Sequence, residues 1–284
     1  MFLIICIVSI LCIICIVHSI HNMYTIHTNS MFLIICIVSI IKIRYTNCTN
    51  CIEYYIDLLY YLSYSKISVF NMIVLIGGEK GGAGKSTIAC NLAVFLAFHE
   101  KDVLLLDADP QKTSSTWAYR RSLVEGKTLP KIHSAEKTGD VYDTVVDLAK
   151  RYKYIIIDSG GRDSKELRSA LIASDIFYTP IKPSQIDIDT LGKMNEIVEH
   201  AKALNKKLKS VALITHSPTN PNMDDKRETE EILGKMPNFI SSNISITYRS
   251  SYWRTMGRGL SVLEYSDDKA KNEILTLGAE VFKL

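Results

Sequence analysis

Gly77-Gly78-Glu79-Lys80-Gly81-Gly82-Ala83-Gly84-Lys85-Ser86-Thr87 follows the apolar run Ile73-Val74-Leu75-Ile76 and leads into a helical stretch, Thr87–Phe98. A glycine-rich bend between a strand and a helix is suited to holding phosphate. Glycines let the backbone turn tightly with its N–H groups facing inward, and the helix N-terminus adds positive potential. Lys85 is placed to bridge the β- and γ-phosphates of a nucleotide, and the Ser86 hydroxyl to ligate Mg2+. Gly81, Gly82, Ala83, Gly84, Lys85, Ser86 and Thr87 are therefore the expected nucleotide-binding residues. Glu79 stands where the strict pattern has glycine, so the loop is a variant.

Along residues 72–284, short apolar runs alternate with helical stretches. The runs are Ile73–Ile76, Val103–Leu106, Tyr154–Ile157, Ile176–Tyr178 and Val211–Ile214. They are continuous rather than alternating, as in strands buried on both faces of a parallel sheet. The helical stretches are Thr87–Phe98, Thr113–Val124, Val141–Tyr152, Ser164–Ala173 and Thr190–Leu204. Asn243–Thr247 reads as a last strand and Asp267–Phe282 as a closing helix packed on the core. This order predicts an α/β fold: a mostly parallel twisted sheet flanked by helices in three layers, the P-loop NTPase arrangement. No linker interrupts residues 72–284, which read as one domain.

Carboxylates follow two of the strands. In an open parallel sheet, ligands lie beyond the carboxyl ends of the strands. Asp107-Ala108-Asp109-Pro110-Gln111 follows the second run, so two aspartates face the phosphate site. One can hold a metal-bound water and the other can orient an attacking water. Asp158 closes Tyr154–Ile157, the position from which an aspartate orients Mg2+ through water.

Lys80, five residues before Lys85, gives the loop the form K-G-G-x-G-K-[ST]. With it the chain resembles the ParA/MinD family of ATPases. Asp107–Gln111 matches that family's D-x-D-P-Q. Ser164–Ala170 and the loop Thr179–Gln185 are similar to plasmid-type ParA proteins, and the length of residues 72–284 suits the small, single-domain members that lack an N-terminal helix-turn-helix. The resemblance covers residues 72–284. It implies ATP and Mg2+ as ligands, and a catalytic role for Lys80, Lys85 and Asp109. Lys80 would reach the partner's phosphates in an ATP-bound homodimer, and Asp109 would activate water. Ser86, Asp107 and Asp158 would form the metal shell. The expected work is DNA partition: an ATP-dependent dimer binds DNA non-specifically and is released when a centromere-binding, ParB-like activator stimulates slow hydrolysis. Cytoplasmic, nucleoid-associated localisation follows.

Non-specific DNA binding calls for exposed cations. Arg249, Arg254 and Arg258 are the first candidates, and Lys202, Lys206, Lys207 and Lys209 a second cluster. Net charge is only +3, so bulk charge does not announce a nucleic-acid binder. A metal-cluster reductase of related fold would need several cysteines, and only Cys90 lies after residue 51. The alternative reading is a membrane-associated MinD-like positioning ATPase. A P-loop enzyme acting on a small metabolite would have no use for Lys80.

Residues 1–71 differ in composition. Their formal charges are Lys42, Arg44, Lys66, Glu53 and Asp57, and they hold six of the seven cysteines. The decapeptide MFLIICIVSI occurs at 1–10 and again at 31–40. Met1–Ile20 is uncharged and, as a helix, would be ~30 Å long, about one bilayer core. It lacks the basic start of a secretory signal. The repeat and the Ile-, Tyr- and Asn-rich composition read as an over-extended start ahead of Met72. A membrane anchor is the alternative. The Cys48–Cys51 spacing has no second ligand pair and reads as chance.

Overall fold

The structure is a computed structural model that describes residues 71–126, 128–218 and 225–284. The leader's repeat, its membrane-anchor reading and the Cys48–Cys51 pair lie outside the described residues. Among the described residues, no helix is long and apolar enough to cross a membrane.

Seven strands form one sheet: β1 (Met72–Ile76), β2 (Val103–Asp107), β3 (His133–Glu136), β4 (Tyr154–Asp158), β5 (Ile176–Ile181), β6 (Lys209–Ser217) and β7 (Ile240–Thr247). Their order is β3-β2-β4-β1-β5-β6-β7, and every pairing is parallel. The sheet expected to be mostly parallel is wholly so. The helices are α1 (Lys85–Phe98), α2 (Thr113–Ser122), α3 (Tyr142–Leu148), α4 (Lys165–Ala173), α5 (Gln185–Leu204), α6 (Asp225–Leu233), α7 (Ser250–Gly257) and α8 (Asp268–Phe282).

The continuous apolar runs divide by residue parity, because successive side chains of a strand point to opposite faces. Val74, Ile76, Val103, Leu105 and Ile156 join one core with α1 and α8. Leu75, Leu104, Leu106, Ile155 and Ile157 join the other with α4 and α5. Two buried faces explain why these runs show no polar alternation.

Helix α1 runs through the first core and is buried continuously from Ile88 to Leu96. Phe95 packs against Gly278 of α8, where even a Cβ would meet the ring at 2.5 Å. The Phe282 ring lies over Phe95 at 6.1 Å and edge-on to Tyr154 at 5.8 Å. The closing helix is therefore a core element, with Ala270, Ile274, Leu277, Val281 and Phe282 buried.

Helix α8 also closes the β7 edge of the sheet. The Asn243 amide donates to Glu280 Oε2 (3.1 Å), and the Thr247 amide donates to Glu273 Oε2 (3.3 Å). Behind α2, Arg121 and Glu264 form a buried ion pair, NH2 to Oε1 at 2.7 Å and NH1 to Oε2 at 2.9 Å. Arg121 also donates to the carbonyls of Gly259 and Pro130.

Helix α5 begins at Gln185, five residues before the Thr190 expected from its apolar periodicity. Ser184 caps it by accepting from the Asp187 amide. Helix α3 ends at Leu148, short of the expected Tyr152, in a turn over Ala149–Arg151.

Candidate functional site

The phosphate loop leaves β1 between its neighbours β4 and β5. The Gly77 amide donates to the Tyr178 carbonyl (3.1 Å), and the Ser159 amide donates to the Ile76 carbonyl (3.0 Å). The loop then rises to Gly81 and Gly82, which are exposed. Gly84 takes φ +90° and stands at the N-cap of α1 with no side-chain cap. That backbone favours glycine, since an L side chain there is strained. The first intrahelical bond is from the Ile88 amide to the Gly84 carbonyl, at 2.9 Å. The amides of Lys85, Ser86 and Thr87 precede it and are the helix's free donors, suited to an anion.

Lys85 is buried, and its ammonium donates to the Lys80 carbonyl at 2.7 Å. Burial lowers its pKa, and the charges of Asp158 and Asp109 oppose that shift. Gly161, just past β4, lies on this contact. A Cβ there would meet Lys85 Nζ at 3.0 Å and the Gly81 nitrogen at 3.1 Å. Glu79, the residue that makes the loop a variant, pairs with Lys193 of α5 at 2.5 Å. A carboxylate in a phosphate loop would repel its ligand; here a cation from α5 neutralises it.

The three aspartates converge beyond β2 and β4, but they are bonded differently. Asp107 Oδ1 accepts from the Asp109 amide (3.0 Å), and Oδ2 accepts from the Ser115 amide (2.8 Å). Its carboxylate fixes the turn into α2. Asp109 Oδ1 accepts from the Gln111 amide (2.9 Å). Its carboxylate faces Gly160, where a Cβ would meet Oδ1 at 3.1 Å. Asp158 is wholly buried, with no hydrogen bond to either oxygen. Ser86 and Ser114 lie near enough to ease its charge, yet neither completes a bond of normal geometry. Burial first, and then the charges of Asp107 and Asp109, push its pKa up to about 7.

A buried carboxylate without donors, beside the Ser86 hydroxyl, fits a cation. Among the described residues no three His, Cys, Asp or Glu side chains cluster as a cage. Mg2+ does not require one, because it keeps waters and takes one or two carboxylates plus phosphate oxygens. Ser86 and Asp158 fit that habit, and Asp107 contributes charge at the edge.

Beside the loop, a pocket of about 210 Å³ opens between α1, β6 and α7. It is lined by Gly82, Gly84, Thr87, His216, Tyr248 and Trp253, among others. The His216 and Tyr248 rings stack with centroids 5.4 Å apart and planes 28° off parallel. Sequence reasoning did not find this wall. His216 follows an apolar run, and Tyr248 lies in a segment read for its arginines.

The structure separates the basic candidates. Arg249 is ion-paired with Glu273 at 3.0 Å and lines the pocket. It is therefore a held side chain rather than part of a solvated basic face. Arg254 and Arg258 are exposed on and just after α7, with the Arg254 guanidinium 5.4 Å from the exposed Trp253 ring. Lys209 opens β6, whose other end carries His216, so the second cluster lies roughly 25 Å away at the opposite end of the sheet. Lys202 donates to the Asn238 carbonyl at 2.8 Å, whereas Lys206, Lys207 and Lys209 are exposed.

A parallel sheet, a glycine loop feeding a buried helix, a loop lysine and a donor-free aspartate on the adjacent strand define a P-loop nucleotide-binding protein. The family model described as the CobQ/CobB/MinD/ParA nucleotide binding domain matches residues 74–262, and the chain belongs to that family. The chain is 34% identical over 125 residues to maintenance of carboxysome distribution protein A of Gloeobacter kilaueensis, covering 44% of this chain and 55% of that one. It is 29% identical over 146 residues to protein ParA of Rhizobium radiobacter, covering 50% and 64%. It thus spans less than two thirds of the length of either relative. The ATP complex of a McdA variant from Cyanothece has the same fold, with TM-score 0.60 and 15% identity over 76% of this chain and 97% of that one.

Proposed function

We propose that this chain is an ATP-hydrolysing partition switch. ATP binds at the loop and closes a homodimer. The dimer holds DNA non-specifically, and a centromere-binding, ParB-like partner speeds an otherwise slow hydrolysis that releases it. Residues 72–284 are the ATPase domain on this reading, with 1–71 a leader outside it. The setting is the cytoplasm, on the nucleoid.

The observation that carries the reading is the pair of lysines on one bend. Lys85 is held inside the subunit by the Lys80 carbonyl. That leaves the half-buried Lys80 side chain to serve the nucleotide of a second subunit. Ser86 and Asp158 would hold Mg2+, which when bound draws charge off the phosphates. Asp109, tethered by only one amide, would orient the attacking water. The relative named ParA supports partition. The relative named for carboxysome distribution supports the broader idea of spacing a cargo.

The MinD-like membrane reading is less well supported. Of the apolar residues of α8 that would enter a bilayer, Ile274, Leu277, Val281 and Phe282 are buried in the core, and Leu275 alone among these five is exposed. The test is ATP turnover and ATP-dependent DNA binding by the full chain, alongside Asp109→Ala. The variant should bind ATP and dimerise while hydrolysis stops. Normal turnover by Asp109→Ala would remove its assigned role, and ATP-independent DNA binding would remove the switch.

A further inference from the structure

Lys182 lies in the loop Thr179–Gln185, and no role has yet been given to its side chain. It follows the last residue of β5, at the same end of the sheet as the phosphate loop. Its Nζ lies 3.8 Å from the position a Cβ on Gly82 would occupy. The ammonium therefore rests against the middle of the bend, between Lys80 and Lys85 in sequence.

Its backbone is fixed. The Lys182 amide donates to Asp187 Oδ2 (3.1 Å), and its carbonyl accepts from the Ser184 amide (2.8 Å). Asp187 is itself buried, its own amide donating to Ser184 Oγ at 3.3 Å. Pro183 further stiffens the turn. The base of the Lys182 side chain is thereby held in place beside the bend.

Lys193, Lys112, Arg168 and Arg249 each pair with a carboxylate. Among the described residues the Lys182 ammonium has no such pair. The nearby Glu79 is already held by Lys193. His216, whose Cε1 lies 3.8 Å from a Cβ position on Gly84, approaches the loop from β6. Burial, and secondly the Lys182 charge, lower its pKa, while Asp187 opposes the shift. An ammonium with no ion pair among the described residues, on a half-buried residue against a bend of donor amides, is completed by an anion.

We propose that Lys182 is a third phosphate-binding cation of this site, acting with Lys85 within one subunit on the outer phosphates of a nucleoside di- or triphosphate. The inference rests on the loop being a nucleotide site. It adds a contact from β5 that the loop motif does not contain.

The experiment is equilibrium titration of the full chain with AMP, ADP and a non-hydrolysable ATP analogue. Lys182→Met should weaken the triphosphate analogue about tenfold or more, the size of one lost charge-assisted hydrogen bond. AMP binding should change by less than about twofold, since the outer phosphates are absent from it. Lys182→Arg, which keeps the charge, should restore most of the affinity. Lys182→Gln serves as a second neutral variant, with thermal melting checked for each. Equal losses for all three nucleotides would mark Lys182 as merely structural and overturn the inference. So would wild-type affinity of Lys182→Met and Lys182→Gln for the triphosphate. Wild-type protein that binds no nucleotide at all would overturn the nucleotide reading, and this inference with it.

Discussion

The Lys85 ammonium donates to the Lys80 carbonyl at 2.7 Å, so one loop lysine anchors the backbone from which the other projects. The contact uses a main-chain atom of Lys80. Removing the Lys80 side chain therefore leaves Lys85 in place. Lys80→Ala should bind ATP close to wild type but fail to dimerise with it, as read by light scattering. Lys85→Ala should lose nucleotide affinity by about a hundredfold, because a charge-assisted contact and its anchor go together. Equal binding loss in both variants would mean the two lysines serve one phosphate tail.

Gly161 lies against the Lys85–Lys80 contact. In Gly161→Ala the added methyl would lie 3.0 Å from Lys85 Nζ. The lysine must shift, and nucleotide affinity should fall about tenfold, the equivalent of ~1.4 kcal/mol. The residue is on a surface loop, so the melting temperature should hardly move. Unchanged affinity by titration would show that the loop absorbs the methyl.

Asp158 sets a pH dependence. Its folded pKa, about 7, lies above the ordinary carboxylate value because burial disfavours the charge. The folded state without nucleotide then holds a proton that the unfolded state releases. Stability should be greatest below the ordinary carboxylate pKa and fall as pH rises toward 7, by at most about 1.4 kcal/mol per pH unit. Asp158→Asn should flatten that slope in thermal melts across pH. Mg2+-dependent nucleotide binding should strengthen over the same range, because the cation needs the carboxylate. A wild-type melt that is flat from pH 4 to 7 would contradict the assignment.

The Arg121–Glu264 pair is buried, with side chains 7% and 4% exposed. Glu264→Ala strands a buried guanidinium and removes the acceptor for the Ser261 amide. The expected cost is about 3–5 kcal/mol, read by chemical denaturation. Replacing both partners with apolar residues should recover much of it. A single-variant loss below about 1 kcal/mol would place the pair among solvent-screened bridges.

Arg254 and Arg258 are exposed, whereas Arg249 is tied to Glu273. If α7 contacts DNA, Arg254→Ala and Arg258→Ala should each reduce the slope of log affinity against log salt by about one. Arg249→Ala should leave that slope alone and lower the melting temperature. A slope that moves only with Lys206, Lys207 or Lys209 would shift the DNA surface to the far end of the sheet.

Much of this molecule could be read from its residues. The five apolar runs are strands because each feeds two cores, and that leaves a plain signature. The loop and the three aspartates were singled out because ligands lie beyond strand ends in parallel sheets, and the fold places them at one end of the sheet. What escaped lacks such signals. Strand β3 is His133-Ser134-Ala135-Glu136, a short and mostly exposed edge with no apolar run. Helix α7 was hidden by the arginines in and beside it, and the early start of α5 by a serine cap without apolar periodicity. The His216–Tyr248 wall and the Lys182 approach join residues far apart in the chain. Only the folded sheet brings them together. Arg249 was read as a free cation because its partner Glu273 lies 24 residues on, in another helix.

The glutamates that α8 lends to β7 bear on how copies of the chain can meet. Every amide they occupy is a rung that a foreign strand cannot use. A neighbour seeking to continue the sheet on that side would have to unseat Glu273 and Glu280 first, and Glu273 is also held by Arg249 and the Tyr252 hydroxyl. Self-association by strand addition is thereby blocked on the β7 side of the sheet.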